Sequence, residues 1–404
     1  MALKYPTGRS AFQPGRSVLC MPATAFPATK QCPGLVNRKT RIIVSRMDSV
    51  THLVAGALTP LAFRNAPKTR VMILFGILCG ELPDIDVIAG KSPEAILAFH
   101  RGATHALVAQ PLFALVMALI FHRLIQKGDT NGSWTFAKTW SVAFLALLIH
   151  LFLDCMTTFG TQIFLPFSDF RVALPAMYII DLSMTLPLIA ALLFILWRGG
   201  LSPISPAPEK TRLRVARTAL SWLVAYPILA LCLNHTLAAN LASKYAAPGN
   251  EQRITSVELS PEPFAPLNWK VVAIAPDTYY MGRLFLPDQA GDIAFTAYDR
   301  PDPALWETLR HDIDLFRLYG QFASYPFLTM ATDGNGGEID TFADVRYEAT
   351  LPGLMNALGR ADGIFLMQAR RENGTVTAYR FLYRGRDADS TPWQTVNRTK
   401  NHAG

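Results

Sequence analysis

The sequence predicts a mainly α integral membrane helical bundle followed by a soluble α+β C-terminal domain. Half of the 404 residues are hydrophobic and only 17% are charged, which is more apolar than an ordinary soluble protein. After about Asn250 the long apolar runs give way to alternating and β-branched runs, as expected for strands. These observations divide the chain into three parts: a basic extension over 1–46, a membrane helical metal-binding domain over 47–245, and a soluble extracytoplasmic domain over 250–404.

The first 46 residues carry 8 basic side chains and no acidic one. We expect a disordered extension, or an over-long start with Met47 as the true initiator, and a transit-like peptide is the weaker alternative. The rest of the chain has 30 basic and 30 acidic residues, so the formal charge of +8 comes from this extension alone. A basic surface for nucleic acid is therefore not predicted, and no nucleic-acid partner is expected.

Organised sequence begins after Met47, where Asp48 or Ser49 can cap a helix over Val50–Phe63. Further apolar runs follow, and we expect spans or span segments over Val71–Gly80, Ala106–Phe121, Thr139–Phe159, Met177–Trp197 and Ala219–Leu241. Cys79, Cys155 and Cys232 lie in or beside these runs without a CxxC pair, so we interpret them as small core residues rather than a zinc or disulfide framework.

The basic loops predict the orientation of the spans. Arg198–Arg217 is the most basic short loop and should be cytoplasmic. If the spans alternate, Arg123–Lys138 and Arg64–Arg70 fall on the same side. The C-terminal domain then lies at the outer face. In that domain we expect strands over Arg253–Leu259, Trp269–Ala275, Thr278–Leu286, Gly363–Arg371 and Thr375–Arg384, and one helix over Glu307–Tyr319.

Ionisable residues cluster in the segment Gly80–His105 although apolar runs flank it. Such residues are expensive beside lipid, so the cluster is a functional-site hypothesis. Pro83 should halt the helix before it and leave Asp84 and Asp86 on a turn. His and Asp together are ligands of divalent metals. The candidate metal ligands are His52, Asp84, Asp86, His100, His105, His150 and Asp154, and the candidate catalytic residues are Glu81 and Arg101.

Seven candidate ligands exceed the need of one ion, so we expect one or two divalent ions, either zinc or manganese. His150 and Asp154 are four residues apart and should share one helix face. In this interpretation a metal-activated water attacks an ester or phosphoester at the outer membrane–water interface. Glu81 or an Asp that is not a ligand accepts its proton, and Arg101 binds a phosphate oxygen. Membrane lipid is the expected partner and a lipid or phosphoester the expected substrate.

Each motif also has an explanation without catalysis. His150 and Asp154 could be a hydrogen-bonded packing pair, the PDID segment a solvated turn, and the HRGATH segment an interfacial basic loop. Asp181 could support the site or cap a helix. For the whole protein the alternatives are a membrane scaffold or sensor with a structural metal, and a proton- or ion-coupled transporter. The clustering of the acids at one face, away from the membrane midplane, weakens the transporter.

The motifs around Thr51-His52, Leu82-Pro-Asp-Ile-Asp86, His100-Arg-Gly-Ala-Thr-His105 and His150-x3-Asp154 resemble the YdjM-type inner-membrane metal-dependent hydrolase family over about 47–200. The resemblance implies a multi-pass protein of the bacterial inner (plasma) membrane with metal-dependent hydrolase activity. Ala106 departs from the family, in which many members have Ser. The order of ligands is also loosely similar to zinc-dependent phospholipase C, which implies a phosphodiester or phospholipid substrate.

Overall fold

A computed structural model describes the chain from the first predicted helix onward, with gaps. The described residues are 48–67, 69–86, 93–198, 208–246, 252–288, 292–332, 337–351, 353, 365–372, 374–383 and 391–396. The predicted basic extension over 1–46 lies outside them.

The first half of the described chain is helical. Its helices are α1 (Asp48–Leu61), α2 (Thr69–Glu81), α3 (Pro93–Phe99), α4 (Gln110–Gln126), α5 (Phe136–Cys155), α6 (Leu182–Arg198) and α7 (Glu209–Tyr245). The predicted apolar runs all fall on these helices. Several boundaries differ, since α5 ends at Cys155, α6 begins at Leu182 and α7 begins at Glu209. Before α4 begins, the chain makes a 3-10 turn over Ala103–His105 and an extended step at Ala106, and Pro111 lies in the first turn of α4. Proline is tolerated there because its missing N–H has no helical partner.

Among the described residues, two helices are long and apolar enough to cross a membrane, α5 and α7. A third candidate is the bent pair Leu97–His105 and Gln110–Gln126, whose halves meet at 64°. Large apolar side chains on α4, α6 and α7 point away from the protein, among them Leu112, Leu119, Leu186, Leu193, Ile228 and Leu229. Outward apolar faces of this kind suit a lipid environment.

Helices α1 and α2 cross with their backbones in contact. A Cβ atom at Gly76 would lie 2.1 Å from the carbonyl oxygen of Gly56, and one at Gly56 would lie 2.3 Å from that of Gly76. No side chain beyond a hydrogen fits between them. The close approach brings the end of α2, and with it Gly80, against α1 beside His52.

The predicted basic loops meet at one end of the helices. Lys138 Nζ donates to the Arg64 carbonyl at 3.0 Å, and Arg212 Nη1 donates to the Leu61 carbonyl at 2.5 Å. The Asn65 amide donates to Glu209 Oε1 at 3.1 Å. The start of α1, the end of α2 and the end of α5 lie at the opposite end, where the candidate ligands are found.

The second half contains two antiparallel sheets. One has four strands in the order β1 (Ser256–Pro261), β2 (Asn268–Ile274), β3 (Thr278–Phe285) and β4 (Phe295–Asp299). The other has five in the order β5 (Pro326–Thr332), β6 (Glu338–Asp344), β7 (Phe365–Glu372), β8 (Thr375–Tyr383) and β9 (Gln394–Thr395). Two helices connect the sheets, α8 (Pro303–Asp312) and α9 (Asp314–Phe322). The single predicted helix is therefore two, because Ile313 is extended between them.

The sheets are seated on the candidate-ligand end of the helices. At roughly 1.5 Å per residue, the 37 residues of α7 exceed the thickness of the hydrocarbon core. Its last turns leave the bundle, where Leu237 and Leu241 pack on the first sheet beside the buried Trp269. Asn234 Nδ2 fixes the joint by donating to the Leu259 carbonyl at 3.0 Å.

The sheet domain also contacts the segment that follows α5. Arg346 Nη1 donates to the Thr158 carbonyl at 2.9 Å. The Phe159 ring packs against Phe322, and the Tyr347 ring stacks on Phe322. Burial raises the pKa of the Tyr347 hydroxyl to about 12, so this ring packs as a neutral group. The sheet domain thus contacts the chain within a few residues of Asp154.

Candidate metal centre

Four of the predicted ligands converge on one point. One donor atom each of Asp84, His105, His150 and Asp154 lies within 4.8 Å of the others. Asp84 lies on the 3-10 turn Pro83–Ile85 that ends α2, as expected from the proline. His105 ends the 3-10 turn before α4. His150 and Asp154 share one face of α5, one turn apart.

Five of the six separations between these atoms are close to those of a tetrahedral metal site, and the sixth, between Asp84 and Asp154, is at most 4.8 Å. His105 Nε2 lies 3.4 Å from Asp84 Oδ1, 3.1 Å from Asp154 Oδ2 and 3.2 Å from His150 Nε2. His150 Nε2 lies 3.5 Å from Asp154 Oδ2 and 3.7 Å from Asp84 Oδ1. Ligands about 2.0–2.1 Å from a tetrahedral ion are separated by roughly 3.3–3.4 Å. The residues present therefore fit a metal such as zinc.

The tautomers of both histidines also fit a metal. His150 Nδ1 donates to the Gly80 carbonyl at 2.6 Å, so Nε2 of the neutral ring carries a lone pair. His105 Nδ1 lies 3.0 Å from Thr104 Oγ1, which donates to Asp86 Oδ2 at 3.4 Å. His105 Nδ1 is then the donor, and its Nε2 also carries a lone pair. Two lone pairs facing each other at 3.2 Å repel unless a metal ion or a proton lies between them.

Three of the four side chains of the centre are buried. His105, His150 and Asp154 are each at most 1% exposed, whereas Asp84 is 25% exposed. Buried carboxylates are costly unless opposite charges compensate them, and a divalent cation would do so here. Asp84 is the ligand through which the centre meets solvent.

Arg101 holds Asp154 from the side away from the other ligands. Its Nη2 lies 3.0 Å from Asp154 Oδ1, and its Nη1 donates to Thr157 Oγ1 at 2.8 Å. The Arg101 backbone has a φ of 56°, a left-handed conformation that non-glycine residues rarely adopt. Its amide donates to Asp86 Oδ2 at 2.8 Å, which fixes this conformation. Thr157 was not among the predicted site residues; its only sequence signal is its position three residues after Asp154.

His52 approaches the centre without joining the group of four. Its Nε2 lies 3.3 Å from Asp154 Oδ1, and the side chain lines a cavity together with Tyr178 and Asp181. Asp181 begins α6, where its Oδ1 accepts from the Met184 amide at 3.1 Å. Of the two interpretations of Asp181, the helix cap is therefore present, and the residue also forms a wall of this cavity.

The remaining predicted residues lie farther out. Asp86 Oδ1 lies 3.4 Å from His100 Nδ1, and Asp86 Oδ2 lies 3.6 Å from His105 Nδ1. Asp86 and His100 thus form an outer layer behind His105. Glu81 is the last residue of α2, is half-buried and lies outside the group of four. Cys79 and Cys155 are buried as predicted, whereas Cys232 is exposed on α7.

Comparison with known proteins agrees with the resemblance in the motifs. Residues 47–241 match the family model of the YdjM inner membrane protein. These residues are similar to the YdjM inner membrane protein family. The match to YdjM begins just before α1 and ends within α7, so it covers all four converging residues. The family is one of inner membrane proteins, in agreement with the two or three apolar helices that could cross a membrane.

One curated relative matches part of the chain. The chain is 27% identical over 165 residues to the uncharacterized protein YfhP of Bacillus subtilis (strain 168). The alignment covers 39% of this chain and 48% of YfhP, so the chain spans about half the length of this relative. No solved structure matches the chain.

Proposed function

We propose that the protein is a membrane-bound, metal-dependent hydrolase that holds one divalent ion between Asp84, His105, His150 and Asp154. The observation that carries the proposal is the convergence of these four donors, from three separate segments, to within 4.8 Å of one another. A set of two imidazoles and two carboxylates suits zinc, with manganese as the alternative. When bound, such an ion would supply a Lewis acid that polarises an ester or phosphoester and activates water.

Three residues of the chain have roles in the proposed reaction. Asp84 is the exposed member of the group and is placed to accept a proton from the attacking water. Arg101 is occupied by Asp154 and Thr157, so we assign it to positioning Asp154 rather than to binding a phosphate. His52 contacts Asp154 Oδ1 at 3.3 Å and lines a small cavity together with Asp181, so we assign it to positioning Asp154.

The membrane placement belongs to the same proposal. The helices form a multi-pass bundle whose basic end, joined by Lys138, Arg212 and Asn65, faces the cytoplasm. The metal centre and the sheet domain then lie at the outer face, near the depth of lipid headgroups. A lipid-borne ester or phosphoester is the substrate that this position favours.

A structural metal is the second candidate, and one observation favours it. Four protein donors can occupy all four coordination positions of a tetrahedral ion and leave none open, as in structural zinc sites. A scaffold or sensor would follow from such a closed site. The two candidates differ at Asp84, because only the hydrolase requires this residue to take part in the reaction.

The deciding experiment measures metal content and hydrolysis on the same samples. Detergent-purified parent, His150→Ala, Asp84→Asn and, as a control, Asp169→Asn are compared. Asp169 is an exposed acid outside the group of four. We expect about one equivalent of zinc or manganese in the parent and the control, and at most about a tenth of that in His150→Ala. Hydrolysis of lipid esters or phosphoesters should disappear in His150→Ala and in Asp84→Asn.

The contrary outcomes separate the two candidates. Full metal in the parent with no hydrolysis of any ester or phosphoester tested would favour the structural metal. No metal in the parent after reconstitution with zinc and with manganese would end both proposals. Full metal and unchanged hydrolysis in Asp84→Asn would remove Asp84 from the mechanism.

A further inference from the structure

Three phenylalanine rings project from a short loop beside the metal centre. The loop, Ile163–Phe170, is called the aromatic loop below. Phe164 is 44% exposed, Phe167 84% and Phe170 63%. Water-facing loops seldom carry several large exposed rings together, and such a patch marks a surface that contacts another apolar phase.

The aromatic loop is tied to both the bundle and the centre. The Leu107 amide donates to the Ile163 carbonyl at 2.9 Å, which attaches the loop to the start of α4. The Gln162 amide donates to the Arg101 carbonyl at 2.9 Å, which attaches it to the residue that holds Asp154. The rings are therefore carried by ordered backbone at a fixed height relative to the centre.

The rings lie next to the outward apolar face of α4, which suits a lipid environment. Beyond Leu107, Val108 and, on helix α4, Leu112 and Leu119 are 56–63% exposed. This face belongs to a candidate membrane span. The aromatic loop extends it at the metal-centre end. It also exposes Ser168 and Asp169, which hydrocarbon would not accept but headgroups would.

We infer that the aromatic loop inserts its phenylalanine rings into the headgroup–acyl boundary of a phospholipid bilayer. The rings contact the upper acyl chains while Ser168 and Asp169 stay among the headgroups. The partner is a lipid surface, because the patch is continuous with the lipid-suited face of α4. The inference goes beyond the proposed function and does not depend on it, since it requires neither metal nor hydrolysis. Its consequence is a metal centre held at the level of headgroup esters.

Spin-label accessibility tests the inference. Phe167→Cys, Leu112→Cys and Met330→Cys are made in a background with Cys20, Cys32 and Cys232 replaced by serine, while the buried Cys79 and Cys155 are kept. Each variant is labelled and placed in vesicles of phosphatidylcholine and phosphatidylglycerol, and collisions with oxygen and with a water-soluble nickel chelate are compared. Oxygen concentrates in lipid and the chelate in water. Met330 is the matched water control, because it is 71% exposed on β5.

We expect the oxygen-to-nickel ratio at position 167 to exceed that at 330 several-fold and to fall below that at 112. A ratio at 167 equal to that at 330 would overturn the inference. So would low collision rates with both reagents, because they would mean that a protein surface, such as a second copy of the chain, covers the loop. Since Phe167 is largely exposed, its replacement removes little packing, and circular dichroism of the same samples shows whether the fold is intact.

Discussion

Asp86 shows how a carboxylate outside the metal position can control the ligands that form it. One of its oxygens accepts from the Arg101 amide at 2.8 Å and from the Thr104 hydroxyl at 3.4 Å. The same oxygen lies 3.6 Å from Nδ1 of His105. A carboxylate behind a ligating histidine fixes the tautomer and raises the basicity of the nitrogen that faces the metal. Asp86 is therefore a positioning residue in the proposed centre.

Replacing Asp86 with Asn should weaken metal binding about 10- to 100-fold, the usual cost of losing such an outer partner. The variant keeps the size of the side chain but loses its charge and one acceptor. Both losses reduce the negative potential at His105. Competition with a chelator of known affinity measures the change. Asp169→Asn makes the same substitution at an exposed acid and should leave the affinity unaltered. Equal affinities in both variants would show that Asp86 has no part in the centre.

The sequence identifies the residues of the site better than it divides them into layers. His and Asp are conspicuous in apolar surroundings, and four of the seven predicted ligands do converge. Asp84 and Asp86 are only two residues apart, yet Asp84 approaches Nε2 of His105 and Asp86 approaches Nδ1 of the same ring. That division depends on the 3-10 turn and on the left-handed backbone at Arg101, neither of which a residue pattern contains.

At the scale of elements, the α1–α2 crossing fixes the position of the metal centre along the helices. Gly80 ends this crossing, and its carbonyl accepts from Nδ1 of His150. A Cβ at Gly80 would lie 2.6 Å from the His52 carbonyl, so the two helices are in backbone contact here as well. The crossing therefore affects the metal centre, because any separation of α2 from α1 moves the Gly80 carbonyl that orients His150.

Gly76→Ala should therefore destabilise the protein by about 3 kcal/mol, the upper end of the usual range for overpacking. The added methyl would meet the Gly56 carbonyl at 2.1 Å, and no rotation of a side chain can relieve that contact. Unfolding in detergent, followed by circular dichroism, measures the change. Gly353→Ala is the control, because a Cβ there meets nothing within 4 Å. An unaltered midpoint for Gly76→Ala would contradict the close crossing.

The elements themselves were predicted unevenly, for a physical reason. The apolar runs of the helical half are long, and each falls on a helix. Four strands of the sheet domain, β4, β5, β6 and β9, were not predicted. In β5 only Phe327 is buried and the last four residues are exposed, so the alternation that signals a half-buried strand is weak. Such strands depend on their neighbours in the sheet, and a single sequence does not contain those neighbours.

At the scale of the whole molecule, the two halves meet at the metal centre rather than away from it. Arg346 donates to the Thr158 carbonyl, and Phe322 packs on Phe159. These contacts lie directly after the segment in which Thr157 holds Arg101. The sheet domain therefore supports the residues that position Asp154. Under the proposed orientation, it would do so from outside the membrane.

That orientation predicts opposite labelling of the two ends. Lys127→Cys lies in the basic end and is exposed, and Met330→Cys is exposed on the sheet domain. In right-side-out membrane vesicles an impermeant maleimide should label position 330 at once and position 127 only after permeabilisation. The reason is that Lys and Arg in short loops stay in the cytoplasm, and the loops around Arg64 and Lys138 are joined at the same end as Lys127. The reverse pattern would place the metal centre at the cytoplasmic face and direct the search for its substrate to the inner leaflet. Labelling of both positions before permeabilisation would mean that the helices do not separate the two ends across the membrane.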